Sequence, residues 1–469
     1  MRLILALCLI LVVGPVLASP QDAVAAAVRD ARILGADVRI QTRYFYTGNL
    51  PAAYRDETYR VLVYQANALS RSPELVKPRL IPPDLLAVVC SDYGPTWRKV
   101  WELLADHDPY FHVDLISYWP GGRWSGDGHF YRAGNYKVRG TAPWLPAAEM
   151  AELISLTQSR TPLVRADWWF VQTCRQLSLT NRQTGIGYYD WLGIKDRDTF
   201  ERLGRLDAEA SRDLQKETRA AVERSGVSAQ NRQIVRLQAL SGASWSTLDT
   251  DDSTGVGNAI RLLRPVDYRH KAEEHFLAAP NGLFYFLLCA ADGSLQASAP
   301  DFIGGDDSPL RRGNDARIHV CLACLRCHTT GLQPIDDYVR RQPKTISSPD
   351  YAELQQLRRQ YLSNLDNQLR RDREPYAEAV LEVTGWTPPE LARRYAAVYN
   401  RFAVDLITPA TAAAEYGISP VVLQARLRVP GRGLDPLAAG LLATPPVGIR
   451  RDQWEDGTFQ AVAEKVYGK

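Results

Sequence analysis

Apolar residues change their spacing along this chain, and the spacing marks out its elements. Over residues 52–70 they recur at helical intervals, at Tyr54, Tyr59, Leu62, Ala66 and Leu69, which predicts a helix. Leu85 to Cys90 is a short continuous apolar run, the pattern of a buried strand, and Thr96 then caps a helix carrying Trp97, Val100, Trp101 and Leu104 on one face. Residues 118–144 are Gly-rich without periodicity and read as a long loop, after which Leu145 to Leu156 returns to helix. Leu163 to Val171 is densely apolar around Arg165 and Asp167, and residues 211–224 read as a polar amphipathic helix ending near Gly226.

From about residue 230 the texture is that of strands. Ile234 to Leu240 and Trp245 to Leu248 carry strand patterns, and Leu283 to Ala290 is the strongest of them. Ala291-Asp292-Gly293 is a turn signal and Ser294 to Ala299 can return beside that strand, which predicts a β-hairpin. A Gly- and Asp-rich loop follows at 304–314, and from Pro349 onward the chain is mostly helical, punctuated by Pro388-Pro389, Gly417, Pro430-Gly431 and Pro445-Pro446. The expected class is α+β, predominantly helical. A mixed N-terminal α/β domain is expected over 19–229, a β-hairpin and motif segment over 230–345, and a helical C-terminal domain over 346–469.

The first eighteen residues stand apart. Arg2 precedes the almost wholly apolar run Leu3 to Val13, Gly14-Pro15 breaks it, and Val16-Leu17-Ala18 offers a cleavage site. This is the pattern of a cleaved secretory signal over 1–18, too short for a stable span, and it predicts a periplasmic or secreted protein with no transmembrane segment in the mature chain. A length of 469 residues at 45% hydrophobic content suffices for several cores. The formal charge of +3 is too small to point to nucleic acid or an acidic membrane surface. No phosphate-binding loop, dinucleotide fingerprint or nucleophile elbow is present.

Chemistry concentrates at Cys324-Leu-Arg-Cys327-His328. Two thiols three positions apart can form thioethers to the two vinyl groups along one edge of a porphyrin, and the next residue then lies where its imidazole binds iron from the proximal side. This predicts one covalent haem c, held by Cys324 and Cys327, with His328 as the proximal iron ligand. Cys321 extends the run to C-x-x-C-x-x-C-H, which also admits zinc or the start of an iron–sulfur site. Export weighs toward haem, because exposed thiols in oxidising compartments are consumed unless a cofactor or disulfide takes them. Cys90, Cys174, Cys289 and Cys321 remain, with three possible connectivities; Cys321 can bridge to Cys289 or stay a thiol beside the haem.

The sixth iron ligand is constrained by exclusion. Residues 329–469 contain no Met, His or Cys, so a protein ligand on the distal side comes from upstream. His270, before the hairpin segment, is the first choice, with Met150 and His129 as alternatives; an open site, or one closed by Tyr or Lys, is the remaining possibility. Asp249-Thr-Asp251-Asp252-Ser253 lacks the Gly and Glu of a calcium-binding loop and reads as a solvated turn.

Several stretches resemble a group of secreted c-type cytochromes typified by planctomycete proteins. They include Arg43-Tyr44, Ser91-Asp92-Tyr93-Gly94 with Trp97, Arg165-Ala166-Asp167-Trp168, Tyr188-Tyr189-Asp190-Trp191, Pro280-Asn281-Gly282-Leu283-Phe284-Tyr285 and Ala413-Ala414-Glu415-Tyr416-Gly417, besides the haem motif. The likeness spans nearly the whole mature chain and departs at Cys321. It implies an exported haem protein and brings no reaction with it. The expected function is that of an extracytoplasmic monohaem c-type cytochrome transferring single electrons to a redox partner protein. The alternatives are a peroxidase-like haem enzyme with an open distal site, and a structural or binding protein stapled by its haem.

Overall fold

The computed structural model describes residues 19–82, 84–111, 115–117, 136–138, 145–173, 187–213, 216–223, 231–251, 268–303, 318–343, 346–429 and 434–467. Its class is α+β. The first sheet is built from β1 (Thr42–Tyr46), β2 (Arg79–Ile81), β3 (Leu85–Val89) and β6 (Leu163–Arg165), in the order β2-β3-β1-β6. β1 pairs antiparallel with β3 and parallel with β6. All five β1 residues are buried, as expected of a central strand covered on both faces. A separate short pair, β4 (Leu115–Ser117) and β5 (Tyr136–Val138), places a strand inside the stretch expected to be all loop.

Helices close over this sheet. Pro20–Ile33 opens with a Ser19/Asp22 capping box and buries Ala23, Val24, Ala27, Val28 and Ala31 along one side. Ala52–Ala68, Trp97–Ala105 and Ala166–Thr173 supply the rest, with an aromatic knot in which Phe45 meets Trp169 at 4.9 Å and Trp97 meets Trp191 at 4.8 Å between ring centres.

The second sheet is a five-stranded antiparallel meander: β7 (Thr218–Val222), β8 (Arg232–Ala239), β9 (Gly242–Asp249), β10 (Ala272–Ala278) and β11 (Phe284–Ala290). It corrects two expectations. The helix expected over 211–224 stops at Asp213, and its second half becomes β7, because pairing with β8 over Thr218–Val222 offers the backbone a ladder that local propensity does not weigh. The hairpin exists with a different partner. β11 pairs along its whole length with β10 on its N-terminal side, across a turn at Pro280-Asn281-Gly282, whereas 294–299 contributes only the single bridges Cys289↔Leu295 and Ser298↔His319. β10 carries Glu273, Glu274 and His275, and these polar residues hid its strand character. Gly282 has a positive φ of 87°, and a Cβ there would stand 3.0 Å from the Pro375 carbonyl oxygen.

From Tyr351 the chain is helical. Leu365–Thr384 crosses the meander, with Asp372 accepting from Arg236 at 2.7 Å and from the Trp245 indole at 2.9 Å. The last helices return to the first sheet through buried charges. Glu415 pairs with Arg165 of β6 at 2.8 Å and with Arg451 at 2.7 Å, and accepts from the Trp454 indole at 2.8 Å. One core runs from Ala23 to Val466 through both sheets, and a small second cluster joins Ala221 to Val339, Leu357 and Tyr361. Among the described residues no helix is long and apolar enough to cross a membrane.

Candidate functional site

The C-x-x-C-H motif forms a short helix, Leu322–His328, whose N-terminal flank is Cys321. Cys321 is buried and has a φ of +67°, a conformation side-chain-bearing residues rarely adopt and one that turns the chain sharply into the helix. Residues three apart share a helix face, so Cys324 and Cys327 are presented together, with His328 just past them. Cys324 is buried and Cys327 exposed. Burial holds the Cys324 thiol well above its ordinary pKa.

All three residues line a cavity of about 950 Å³, at the upper end of the range for small-molecule and cofactor sites. Strand alternation turns Ile234, Trp245, Phe276 and Leu288 of the meander toward it, while Ile303, Ile318 and Leu369 close other sides. The walls are mainly apolar. Their charged residues are Arg232, Asp249, Glu273, Glu274 and Asp336, and Arg232 donates to Asp249 at 2.8 Å and to Glu274 at 3.2 Å. Asp249 is thus a buried ion-pair partner of the cavity wall, which corrects its reading as a solvated turn.

His328 is held on three sides. Its Nδ1 lies 3.2 Å from the Gly331 carbonyl oxygen, its ring packs on Phe276 with centres 4.3 Å apart, and the Gly331 amide returns a bond of 2.8 Å to the His328 carbonyl. Burial pushes the imidazole pKa down to about 4, so the ring is neutral near pH 7. A neutral ring whose Nδ1–H donates to a carbonyl presents Nε2 as a metal ligand. Helix Leu365–Thr384 fixes the turn after the motif: the Tyr376 hydroxyl donates to the Thr329 carbonyl at 3.1 Å, and Arg373 donates to the Leu332 carbonyl.

The thiol pair, the fixed imidazole and the apolar volume meet in one place, and their chemistry fits a large flat apolar group anchored by two sulfurs and ligated by one nitrogen. The distal candidates of the sequence are not gathered there. His270 precedes β10 and gives its Nε2 to Glu273 Oε1 at 2.7 Å; it is not a cavity-wall residue. Met150 is fully buried in helix Ala147–Thr157, which packs against Pro20–Ile33, and does not border the cavity. His129 lies outside the described residues. Among the described wall residues, His328 is the one His and there is no Met. Cys90 and Cys289 are buried thiols without a bridge, so Cys321 is not joined to Cys289; Cys174 lies outside the described residues.

Sequence reading did not find Arg232, Asp249 and Glu274 as wall residues, nor Glu273, His275 and Cys289 as neighbours. The available signal was the Pro280-Asn281-Gly282 turn: centring the hairpin there sets Glu273 opposite Cys289. Compared with known proteins, the chain matches no family model, no curated protein and no solved structure.

Proposed function

We propose that this chain is an extracytoplasmic c-type cytochrome that binds one haem covalently through Cys324 and Cys327 and passes single electrons to a redox partner protein. The observation that carries the reading is the cavity that Cys324, Cys327 and His328 border together. When bound, haem supplies a one-electron iron couple. The chain's own residues do the rest. Cys324 and Cys327 form the thioethers, His328 offers Nε2 while Gly331 orients its ring, and the apolar sheet face excludes water. The carboxylates of Asp249 and Glu274 outnumber the Arg232 guanidinium, so this wall carries net negative charge and favours the oxidised iron. The N-terminal pattern supports export, and the resemblance to secreted cytochromes agrees with it.

One observation favours a second reading. The described cavity wall holds no second His and no Met, as expected of a haem protein whose distal side stays open to a small ligand, such as a peroxidase-like enzyme. Absorbance spectra of the matured protein, ferric and ferrous, separate the two. Low-spin bands without carbon monoxide binding support the carrier; high-spin bands with rapid carbon monoxide binding support the open site. A protein that matures no covalent haem in a competent host overturns both.

A further inference from the structure

On the strand face opposite Glu274, Phe276 and Leu288, the β10–β11 ladder assembles a second set of ligand-type side chains, of which Glu273 and Cys289 also border the cavity. Glu273 of β10 stands directly opposite Cys289 of β11, and His275 follows Glu273 on the same face two residues on. The result is a buried triangle. His275 Nε2 lies 2.8 Å from Glu273 Oε2, Cys289 Sγ lies 3.3 Å from the same oxygen, and Sγ and Nε2 are 3.6 Å apart. All three residues are buried, and the three ligand atoms lie within 4.8 Å of one another. His270 places its Nε2 2.7 Å from the other Glu273 oxygen, at the more exposed side of the group.

We propose that Glu273, His275 and Cys289 form a binding site for a borderline-soft divalent cation of the zinc class, with ligands distinct from those of the haem motif. The geometry is close to what such an ion requires. With bonds of about 2.0 Å to nitrogen and oxygen and about 2.3 Å to sulfur, a tetrahedral site has ligand-to-ligand edges of roughly 3.3–3.6 Å. The two edges to sulfur already match, and only the imidazole–carboxylate edge has to open, by a few tenths of an ångström. One thiolate, one carboxylate and one imidazole, with the fourth position left to water, are a set that zinc accepts and that magnesium or calcium does not favour.

The neighbours suit the change. His275 Nε2 lies 2.8 Å from Glu273 Oε2 and Nδ1 lies 2.7 Å from the Ser246 hydroxyl, so the tautomer protonated at Nε2 donates to the carboxylate and accepts from the hydroxyl. With metal on Nε2 the proton sits on Nδ1, and the same hydroxyl turns to accept it. Burial and the Glu273 carboxylate hold the metal-free Cys289 in its thiol form, so the cation replaces a proton at sulfur. The charges of thiolate and carboxylate then equal that of the ion. Arg197, which contacts both Glu273 oxygens at 2.8 and 2.9 Å, keeps the carboxylate in place.

The experiment uses the matured, folded Cys321→Ala protein, so that the haem-motif cysteines offer no competing site. It is equilibrated with zinc, dialysed against metal-free buffer, and assayed for zinc and iron. One retained zinc per chain is expected, with one sulfur neighbour at about 2.3 Å by X-ray absorption. Cys289→Ser and His275→Gln, each checked for covalent haem content and a cooperative melt, should weaken retention at least ten-fold. No retained zinc, unchanged retention in either folded variant, or a shell without sulfur overturns the site. Where a variant does not fold, the sulfur count of the Cys321→Ala protein decides. The iron content of the same samples reports whether haem occupies Cys324 and Cys327; in iron-free protein, where those thiols stay open, the loss of retention in Cys289→Ser and His275→Gln decides the zinc site separately from the haem reading.

Discussion

His328 Nδ1 lies 3.2 Å from the carbonyl oxygen of Gly331, three residues further along the chain. Gly331 holds a φ of +88°, and a Cβ there would meet the Tyr376 ring at 3.3 Å. Gly331→Ala should therefore cost about 1–2 kcal/mol of stability and loosen the imidazole. The thermal midpoint should fall, and the matured protein should show a shifted Soret band. His328→Ala should mature poorly and give disturbed iron ligation. A mature His328→Ala protein with parental Soret and Q bands would rule out this residue as the proximal ligand.

Covalent attachment makes the second prediction. Thioethers survive denaturing gels and acid–acetone extraction, whereas free haem and zinc leave no haem-stained band. Cys324→Ala/Cys327→Ala should lose the stain in a host that matures cytochromes c, and Cys321→Ala should keep it. An unchanged stain in the double variant would remove the two thioethers from the proposal.

How far the sequence reached depends on the range of the interaction. The helix over 52–68 and strands β3, β8, β9 and β11 follow from spacing within a short window. β10 does not, because Glu273, Glu274 and His275 look like loop until Arg232 on β8 and Ser246 on β9 supply their partners. The clamp by Tyr376 on the post-motif turn joins residues 47 apart in sequence and has no local signature. His270 looked like a distal ligand because it is near in sequence; its Nε2 is taken up by Glu273, three residues on, and it does not line the cavity.

That placement yields a third prediction. His270→Ala and Met150→Leu should each leave the spin state of the ferric protein unchanged. If the parent is low-spin, His129→Ala becomes the informative variant. Conversion to high spin in His270→Ala would show that this imidazole does reach the iron.

The wall charges set the iron couple. Glu274 adds a second carboxylate beside the Arg232–Asp249 pair, and removing its charge should favour the oxidised iron less. Glu274→Gln should raise the reduction potential by something on the order of tens of millivolts, as expected for one charge at close range in a partly screened site. A potentiometric titration reads this directly, and an unchanged or lowered potential would separate Glu274 from the iron.

The last prediction concerns the buried charges that tie the helical tail to the first sheet. Burial by itself would raise the Glu415 pKa, but Arg165 and Arg451 more than offset it, and the value falls from 4.5 to about 2. A carboxyl whose folded pKa lies below its unfolded one stabilises the fold fully above the unfolded value. That contribution is lost as pH drops from 4.5 through about 2. Glu415→Ala leaves Arg165 and Arg451 buried together without their shared carboxylate, and should cost about 3–5 kcal/mol at neutral pH. Urea unfolding of parent and variant should show the gap narrowing as pH is lowered across that window. A gap that stays constant with pH would mean that the Glu415 charge does not hold the tail.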